Sequence, residues 1–311
     1  MPDPLIVEVV RGAIVESVHL ADAAVLDDNG VLIDSAGDPL THAAFRSSAK
    51  PVQAGVYLTN GWEPASTEHL AIACASHTGE PEHIRMVDAV LERAGLGRDA
   101  LLCPPALPNP SVPSAAAQAG RPEPVFHNCS GKHAAMLATC ASRGWPLETY
   151  REQQHPLQQA IHEAVEHVTA SLLETAIDGC GVVTFAAPLA ALARGFGAVR
   201  AEDPYARAAA AMRAHPFLVA GTGRLSTAAM GTIAGLTAKG GAEGLICAAG
   251  DGFSLAAKVR DGSARATGPV LLELLRRLGV LPEDLPAGLV PHLRPPVLGG
   301  GRPVGQVRLR D

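Results

Sequence analysis

The chain has 311 residues, of which 47% are apolar and 18% are charged, and its formal net charge is −6. These proportions exclude a disordered chain and fit a globular protein with a full core. The sequence has no basic cluster and no apolar run of bilayer length. Neither a nucleic acid nor a membrane is therefore an expected partner.

The start of the chain and its cysteines predict a cellular compartment. No basic segment followed by an apolar stretch opens the sequence, so no signal peptide is expected. The six cysteines are scattered without the spacing of a disulfide scaffold. We therefore expect reduced thiols and a cytoplasmic protein.

The first part of the chain predicts a meander of short strands. Asn29-Gly30 is a strong hairpin signal between two of them. The predicted strands cover residues 5–10, 13–20, 24–26 and 31–33.

The middle of the chain is mainly helical by its periodicity. Apolar residues recur at helical spacing from Ile84 to Leu91, for example, and Gly95 closes that helix. Residues 101–125 contain seven prolines and predict a connection that lies over the surface or rims a cleft. The predicted helices cover residues 63–75, 81–94, 129–142, 149–169, 188–194 and 203–215.

The last third returns to strands at residues 231–239, 242–250, 253–260 and 303–309, with a helix at 269–278. Strands at both ends and helices between them predict an α+β fold, in which both termini build one antiparallel sheet around a helical insertion. We expect a single catalytic unit over residues 1–311. Its sheet part would cover about 1–45 and 220–311, and its helical, site-bearing part about 46–219.

Ser47-Ser48-Ala49-Lys50 is an S-x-x-K motif. On a helix, a step of three residues places two side chains on one face, so the Lys50 amine would reach the Ser47 hydroxyl. Pro51 supports a helix that starts near Ser47, because proline is tolerated in the first turn. A neutral lysine beside a serine makes that serine a candidate nucleophile, as in the penicillin-binding class. The alternative is a solvated lysine at an ordinary helix start.

Two further motifs carry polar residues in apolar surroundings. Ser76 ends an apolar segment before Gly79 and would present its hydroxyl to a cleft, or else would act in a turn or cap. Lys258 lies in a predicted strand with apolar neighbours. It is either a desolvated functional amine or the solvent side of an edge strand.

Cys129 and Cys180 both lie on glycine-flanked turns, and Lys132 follows Cys129 by three residues. Two such cysteines would bind zinc as thiolates if the fold brings them together. Cys-x-x-Lys is not a recognised zinc spacing, however, and buried reduced thiols are common. Both interpretations stay open at this point.

Six motifs together resemble the asparaginase II family, the rhizobial-type (class 3) L-asparaginases. They occur in the family's order over nearly the whole chain. They are residues 45–53 (FRSSAKPVQ), 74–80 (CASHTGE), 127–133 (HNCSGKH), 178–181 (DGCG), 215–224 (HPFLVAGTGR) and 258–262 (KVRDG).

This resemblance implies a fold similar to serine β-lactamases, penicillin-binding proteins and glutaminases. It also implies hydrolysis of L-asparagine to L-aspartate and ammonia. Ser47 would be the nucleophile and Lys50 its base, while Ser76 and Lys258 would form a second Ser–Lys pair.

The resemblance further implies a zinc ion held by Cys129, Lys132, Cys180 and water, with Asp178 orienting Lys132. The metal would support substrate binding and would not be the primary catalyst. A homodimer is also implied.

Two other classes of function remain open. One is a different acyl-transfer hydrolase of the same fold, such as a glutaminase, a D-amino-acid amidase or a β-lactamase-like enzyme. The other is a non-catalytic protein that binds zinc or an amino acid.

Overall fold

The computed structural model describes residues 2–282 and 284–310, which divide into two units. The first unit contains the described residues up to Ser48, Ala186–Gly197 and those from Ala228 onward. The second contains Ala49–Phe185 and Ala198–Thr227. Both units are therefore discontinuous in the sequence, since the middle of the chain contributes a short segment to the first unit.

The strands range in length from three to thirteen residues. They are β1 (Leu5–Arg11), β2 (Ile14–Leu26), β3 (Leu32–Ala36), β4 (His42–Ala44), β5 (Glu174–Ile177), β6 (Val183–Pro188), β7 (Thr237–Gly240), β8 (Leu245–Gly250), β9 (Phe253–Val259), β10 (Pro296–Gly299) and β11 (Arg302–Leu309).

The helices are concentrated between β4 and β7. They are α1 (Lys50–Thr59), α2 (Thr67–Ala73), α3 (Pro81–Arg93), α4 (Pro113–Ala119), α5 (Ser130–Arg143), α6 (Pro156–Thr169), α7 (Leu189–Ala201), α8 (Tyr205–Ala214), α9 (Pro216–Ala220), α10 (Leu225–Thr232), α11 (Thr267–Arg277) and α12 (Val290–Leu293). Short 3-10 turns lie at Arg46–Ala49, Arg98–Ala100, Pro124–Phe126 and Ala264–Ala266.

One antiparallel sheet forms the centre of the first unit. Its strand order is β10-β11-β1-β2-β9-β8-β7, and β3 pairs with β2. The first and last of the longer strands are neighbours, with Val7 opposite Leu309 and Val9 opposite Val307. The predicted α+β fold, with an antiparallel sheet built from both termini, is thereby confirmed.

Helix α11 covers one face of this sheet, where it contacts β1, β8, β9 and β11. Val270, Leu271, Leu274 and Leu275 are fully buried. Each such side chain contributes roughly 1.5–3 kcal/mol by its removal from water. The apolar spacing of this helix, which the sequence predicts over residues 269–278, is thus the spacing that the sheet requires.

The second unit is built from helices. Helix α1 contacts α5, α6 and α8, while α2 contacts α3, α5, α8 and α9. Residues 130–140 of α5 are all buried, because the small residues Ala134, Ala135 and Ala138 allow close approach. No helix in the described ranges is long and apolar enough to cross a membrane.

Several element boundaries differ from those the sequence predicts. Residues 14–26 form one continuous strand, β2, because it pairs with β1 along its first half and with β3 and β9 along its second. Helix α6 begins at Pro156 and is not interrupted there, since proline needs no hydrogen-bond donor in a first turn. Helix α10 replaces part of a strand predicted from residue 231, and the proline-rich connection contains α4.

Candidate active site

Lys50 is the first residue of α1 and is only 1% exposed. Its Nζ donates hydrogen bonds to Ser76 Oγ at 2.9 Å and to Cys129 Sγ at 3.2 Å. A third bond goes to the carbonyl of Ala75. The Lys50 amine therefore has three hydrogen-bond partners within the second unit.

Ser76 lies just beyond α2, in a turn that leads to α3. Its backbone N–H donates to the carbonyl of Val219 at 2.8 Å, and the next N–H, that of His77, donates to the carbonyl of Asn128 at 3.1 Å. These bonds fix the backbone of the turn on both sides. The Ser76 hydroxyl is therefore held against the Lys50 amine.

Cys129, Lys132 and Cys180 meet in the same unit. Lys132 Nζ donates to Cys180 Sγ at 3.1 Å, and the Cys180 thiol hydrogen-bonds to Cys129. All three side chains are buried, with exposed fractions of 4% or less. The structure thus brings together the three residues that the family resemblance implies as zinc ligands.

A glycine makes this meeting possible. A Cβ atom on Gly131, in the first turn of α5, would lie 2.3 Å from the carbonyl oxygen of Ile72 in α2. No other residue lets α5 approach α2 so closely without displacement. The turn that carries Cys129 and Lys132 is consequently pressed against the segment that leads to Ser76.

The charges of this cluster are strongly coupled. A hydrogen bond from Cys180, together with the cations Lys50 and Lys132, lowers the pKa of Cys129 well below its ordinary value despite burial. The same hydrogen bond and burial raise the pKa of Cys180. Burial lowers the pKa of Lys132, but the sulfur atoms and Asp178 outweigh it, so the pKa rises to about 12. We infer a Cys129 thiolate, with Cys180 as a neutral thiol and Lys132 as an ammonium group.

The donor set fits a zinc ion. Two sulfurs and one nitrogen lie side by side in a buried place, and thiolate and nitrogen ligands are those that zinc prefers. Metal binding would require the Cys180 and Lys132 protons to leave. Asp178 is close enough to raise the pKa of Lys132, as expected for a residue that orients it. Among the described residues, no group of three or more His, Cys, Asp or Glu could hold a metal.

Ser47 and Lys258 lie in the first unit. Ser47 is half-buried in the 3-10 turn Arg46–Ala49, directly after Arg46, whose φ of 47° is unusual for a residue other than glycine. Backbone strain of this kind clusters at functional sites. The next residue, Ser48, is buried and donates from its Oγ to the carbonyl of Lys239 at 2.8 Å.

Lys258 is half-buried near the end of β9, opposite Asp22 of β2. Burial lowers the pKa of Lys258, and the negative charges of Glu243, Asp261 and Asp22 oppose this. Its Nζ donates to the carbonyl of Val259. The amine is therefore partly desolvated, as one of the two interpretations of the sequence requires.

The sequence pairs Lys50 with Ser47 and Lys258 with Ser76, whereas the contact that the second unit shows is between Lys50 and Ser76. Pairing across the chain depends on the fold and cannot be read from a local spacing. His77 and Ser130, which hydrogen-bond to each other, have no role in the sequence-based prediction. The only feature of the sequence that points to these two residues is their position directly after Ser76 and Cys129.

Comparison with known proteins identifies the family of this chain. The family model of L-asparaginase II matches residues 7–309, which is nearly the whole chain. The chain belongs to the L-asparaginase II family. The resemblance seen in the sequence is thereby confirmed, and family membership supports an amidohydrolase that acts on a small-molecule amide.

Two other comparisons say less than the family model about this member of the L-asparaginase II family. No curated protein matches the chain. Among solved structures, it is similar to a Bacillus glutaminase crystallised in the presence of 4.3 M NaCl. The sequence identity is 14%, with 84% of this chain and 91% of that chain covered and a TM-score of 0.39. We draw no conclusion about activity from so distant a likeness.

Proposed function

We propose that this protein hydrolyses L-asparagine to L-aspartate and ammonia through an acyl-enzyme formed on a serine that a lysine activates. The observation that carries the proposal is the buried Lys50 amine, 2.9 Å from Ser76 Oγ, in a member of the L-asparaginase II family. A serine within hydrogen-bonding reach of an amine is the usual arrangement of an activated nucleophile.

In the proposed reaction, a lysine amine takes the proton of a serine hydroxyl as the serine oxygen attacks the side-chain amide carbon of asparagine. Backbone N–H groups hold the resulting oxyanion. The lysine then returns its proton to the leaving nitrogen, and ammonia departs. A water molecule finally attacks the aspartyl ester, which releases L-aspartate and restores the serine.

Lys50 is the proposed base for this reaction. The sequence gives the nucleophile role to Ser47, three residues before Lys50, and gives Ser76 a supporting role with Lys258. The contact between Lys50 and Ser76 supports a part for Ser76 as well. Both serines therefore enter the test below as candidates for the acylated residue.

Cys129, Lys132 and Cys180 would hold one zinc ion in the proposed enzyme. When bound, zinc would supply a positive charge that neutralises the thiolates and attracts a polar group of the substrate. Cys129 would keep this charge close to Lys50, because Cys129 Sγ lies 3.2 Å from Lys50 Nζ.

Ammonia release tests the function. The purified protein is assayed with L-asparagine, L-glutamine and a chromogenic β-lactam side by side. We expect ammonia from L-asparagine at the highest kcat/KM. Binding of L-asparagine without release of ammonia would contradict the proposal. Faster turnover of L-glutamine or of the β-lactam would show that L-asparagine is not the preferred substrate.

Mass spectrometry of the quenched reaction tests the mechanism. An aspartyl adduct, trapped by acid quench, should map to a peptide that contains one of the two serines. Ser47→Ala and Ser76→Ala then decide which serine carries it, because the adduct disappears in the variant that lacks the nucleophile. An adduct that survives in both variants, or no adduct under any quench, would refute the Ser–Lys acyl-enzyme.

A further inference from the structure

His77 is a buried histidine directly after Ser76, and the proposed mechanism gives it no role. Its side chain is 2% exposed. The backbone N–H of Gly79 donates to His77 Nδ1 at 3.1 Å, and His77 Nε2 lies 2.9 Å from Ser130 Oγ. The Ser130 hydroxyl in turn donates to the carbonyl of Val125 at 2.8 Å.

These contacts define which nitrogen of His77 carries its proton. Nδ1 accepts a hydrogen bond from Gly79, so it has no proton of its own. The Ser130 hydroxyl directs its hydrogen at Val125, so its oxygen accepts from His77. His77 is therefore neutral with the proton on Nε2, and the bonds form one directed chain from Gly79 to Val125.

The chain joins two segments that carry site residues. Gly79 belongs to the turn that begins with Ser76, and Ser130 opens α5 directly after Cys129. The backbone bond from His77 N–H to the carbonyl of Asn128 joins the same two segments at 3.1 Å. The imidazole thus ties the turn that carries Ser76 to the turn that carries Cys129.

A stack of rings holds the imidazole in this orientation. The rings of His77 and His83 stack with centroids 5.1 Å apart, and those of His83 and Phe217 stack at 4.8 Å. His83 is itself fixed, because its Nδ1 accepts from the N–H of Glu80 and its Nε2 donates to the carbonyl of Phe217. The His77 ring cannot rotate without breaking this stack.

We propose that His77 is a positioning residue for Ser76. Its Nε2–H bond to Ser130 sets the distance between the Ser76 turn and α5, and so keeps Ser76 Oγ and Cys129 Sγ on the same Lys50 amine. The inference rests on the proposed function, since it assigns His77 a part in the amidase reaction through Ser76.

Two substitutions separate the two ring nitrogens of His77. Asparagine places its amide where Nδ1 was and keeps the bond from Gly79, whereas glutamine extends to the position of Nε2 and keeps the bond to Ser130. We expect His77→Asn to lower kcat about 10- to 100-fold with little change in KM, because small misplacements of reacting groups are costly. His77→Gln should stay within about threefold of wild type.

Ser130→Ala removes the other end of the same bond. It should lower kcat like His77→Asn, and the double variant should be no worse than either single one, because both remove one interaction. Equal kcat values for the Asn and Gln variants, whether high or low, would overturn the proposal. So would multiplicative losses in the double variant.

His155 supplies a matched control. Its Nδ1 also accepts from an N–H two residues on, that of Leu157 at 3.1 Å, and its Nε2 donates to the carbonyl of Pro146 at 3.0 Å. It is as buried as His77 but lies in the turn before α6. His155→Asn should change the melting temperature as His77→Asn does, and leave kcat unchanged. Loss of kcat in both variants would show a general structural effect and refute the positioning role.

NMR of protein labelled with ¹⁵N-histidine gives a readout that does not need activity. The His77 ring should show the neutral Nε2–H pattern with a slowly exchanging proton, and Ser130→Ala should speed that exchange. If wild type releases no ammonia from L-asparagine, the proposed function fails while this pattern still stands. An Nδ1–H or doubly protonated ring would refute the inference itself.

Discussion

Two buried charge clusters of this protein differ in what surrounds the charge. In the first unit, Asp22 is 1% exposed, and Arg260 donates to both of its oxygens at 2.7 and 2.8 Å. In the second unit, Lys50 and Lys132 are buried to a similar degree, but their partners are a hydroxyl, two cysteine sulfur atoms and a backbone carbonyl.

The two sets of partners separate a buried charge that stabilises the fold from one that can react. A carboxylate enclosed by a forked guanidinium is satisfied in one protonation state only, so it serves stability. An amine among a hydroxyl and thiols lies beside groups that can exchange protons with it or give up their protons to a metal.

The largest effect is expected from Lys50→Met, which removes the amine but fills its space. Ammonia release should fall by about 100-fold or more, equivalent to about 3 kcal/mol in the barrier. Circular dichroism should show the fold of the wild type. Thr169→Val, which removes a buried hydroxyl at the end of α6, is the control and should turn over normally. If Lys50→Met turned over substrate nearly as fast as the wild type, Lys50 would not be the base, and its buried amine would serve stability only, as Asp22 does.

Metal content sharpens the comparison further. Elemental analysis should find about one zinc per chain in the wild type and at least tenfold less in Cys129→Ser and Cys180→Ser, since thiolates are the strongest ligands present. Cys140→Ala is the control, because Cys140 is also a free, buried cysteine of α5. A wild-type protein without zinc, even after zinc is added, would remove this site.

Gly131→Ala tests the close approach of α5 to α2. The new methyl group would collide with the carbonyl of Ile72, and we expect a loss of about 2 kcal/mol in the free energy of unfolding. Gly231 of α10 has nothing within 4 Å of its would-be Cβ, so Gly231→Ala should be neutral or slightly stabilising. Urea denaturation measures both. Equal effects would mean that the two helices can separate freely.

Asp22→Asn is expected to have the smallest effect. It should lower the free energy of unfolding by about 1.5 kcal/mol at pH 7, because Arg260 is nearly half exposed. Burial raises the pKa of Asp22, but Arg260 and the N–H of Asp38 outweigh it, so its pKa in the folded protein lies below 3.8.

The pH dependence of that loss has a definite sign. A carboxyl with a lowered pKa stabilises the fold fully above pH 3.8 and loses this contribution as the pH falls toward its pKa in the folded protein. The difference in melting temperature between wild type and Asp22→Asn should therefore shrink as the pH drops from 5 to 3. A difference independent of pH would show that the charge of Asp22 does not stabilise the first unit.

The sequence predicts those features that depend on local pattern. Short apolar runs at both ends gave the strands that became β1 and β11, and helical spacing gave α3 and α11 nearly to the residue. The candidate site residues could be recognised because they lie close to glycines and to one another within short motifs of the sequence. Cys129, Lys132 and Cys180 lie together in the structure, as the family resemblance implies.

Features that depend on distant partners were less predictable. Nothing near residue 50 in the sequence shows that its amine will contact Ser76, because that contact needs α1 and α2 to be packed. His155 directly precedes an amphipathic helix, yet it is only 4% exposed because its ring caps α6. A capping side chain turns back onto its own helix, which periodicity alone does not reveal.

The pairing of β1 with β11 has a consequence for how the chain is made. A ribosome delivers Leu5–Arg11 first, but its neighbour Arg302–Leu309 emerges almost 300 residues later. During that interval one edge of the nascent sheet has no partner. Such long-range closure is slow and leaves strands open to aggregation, so newly made chains should depend on chaperones until synthesis ends.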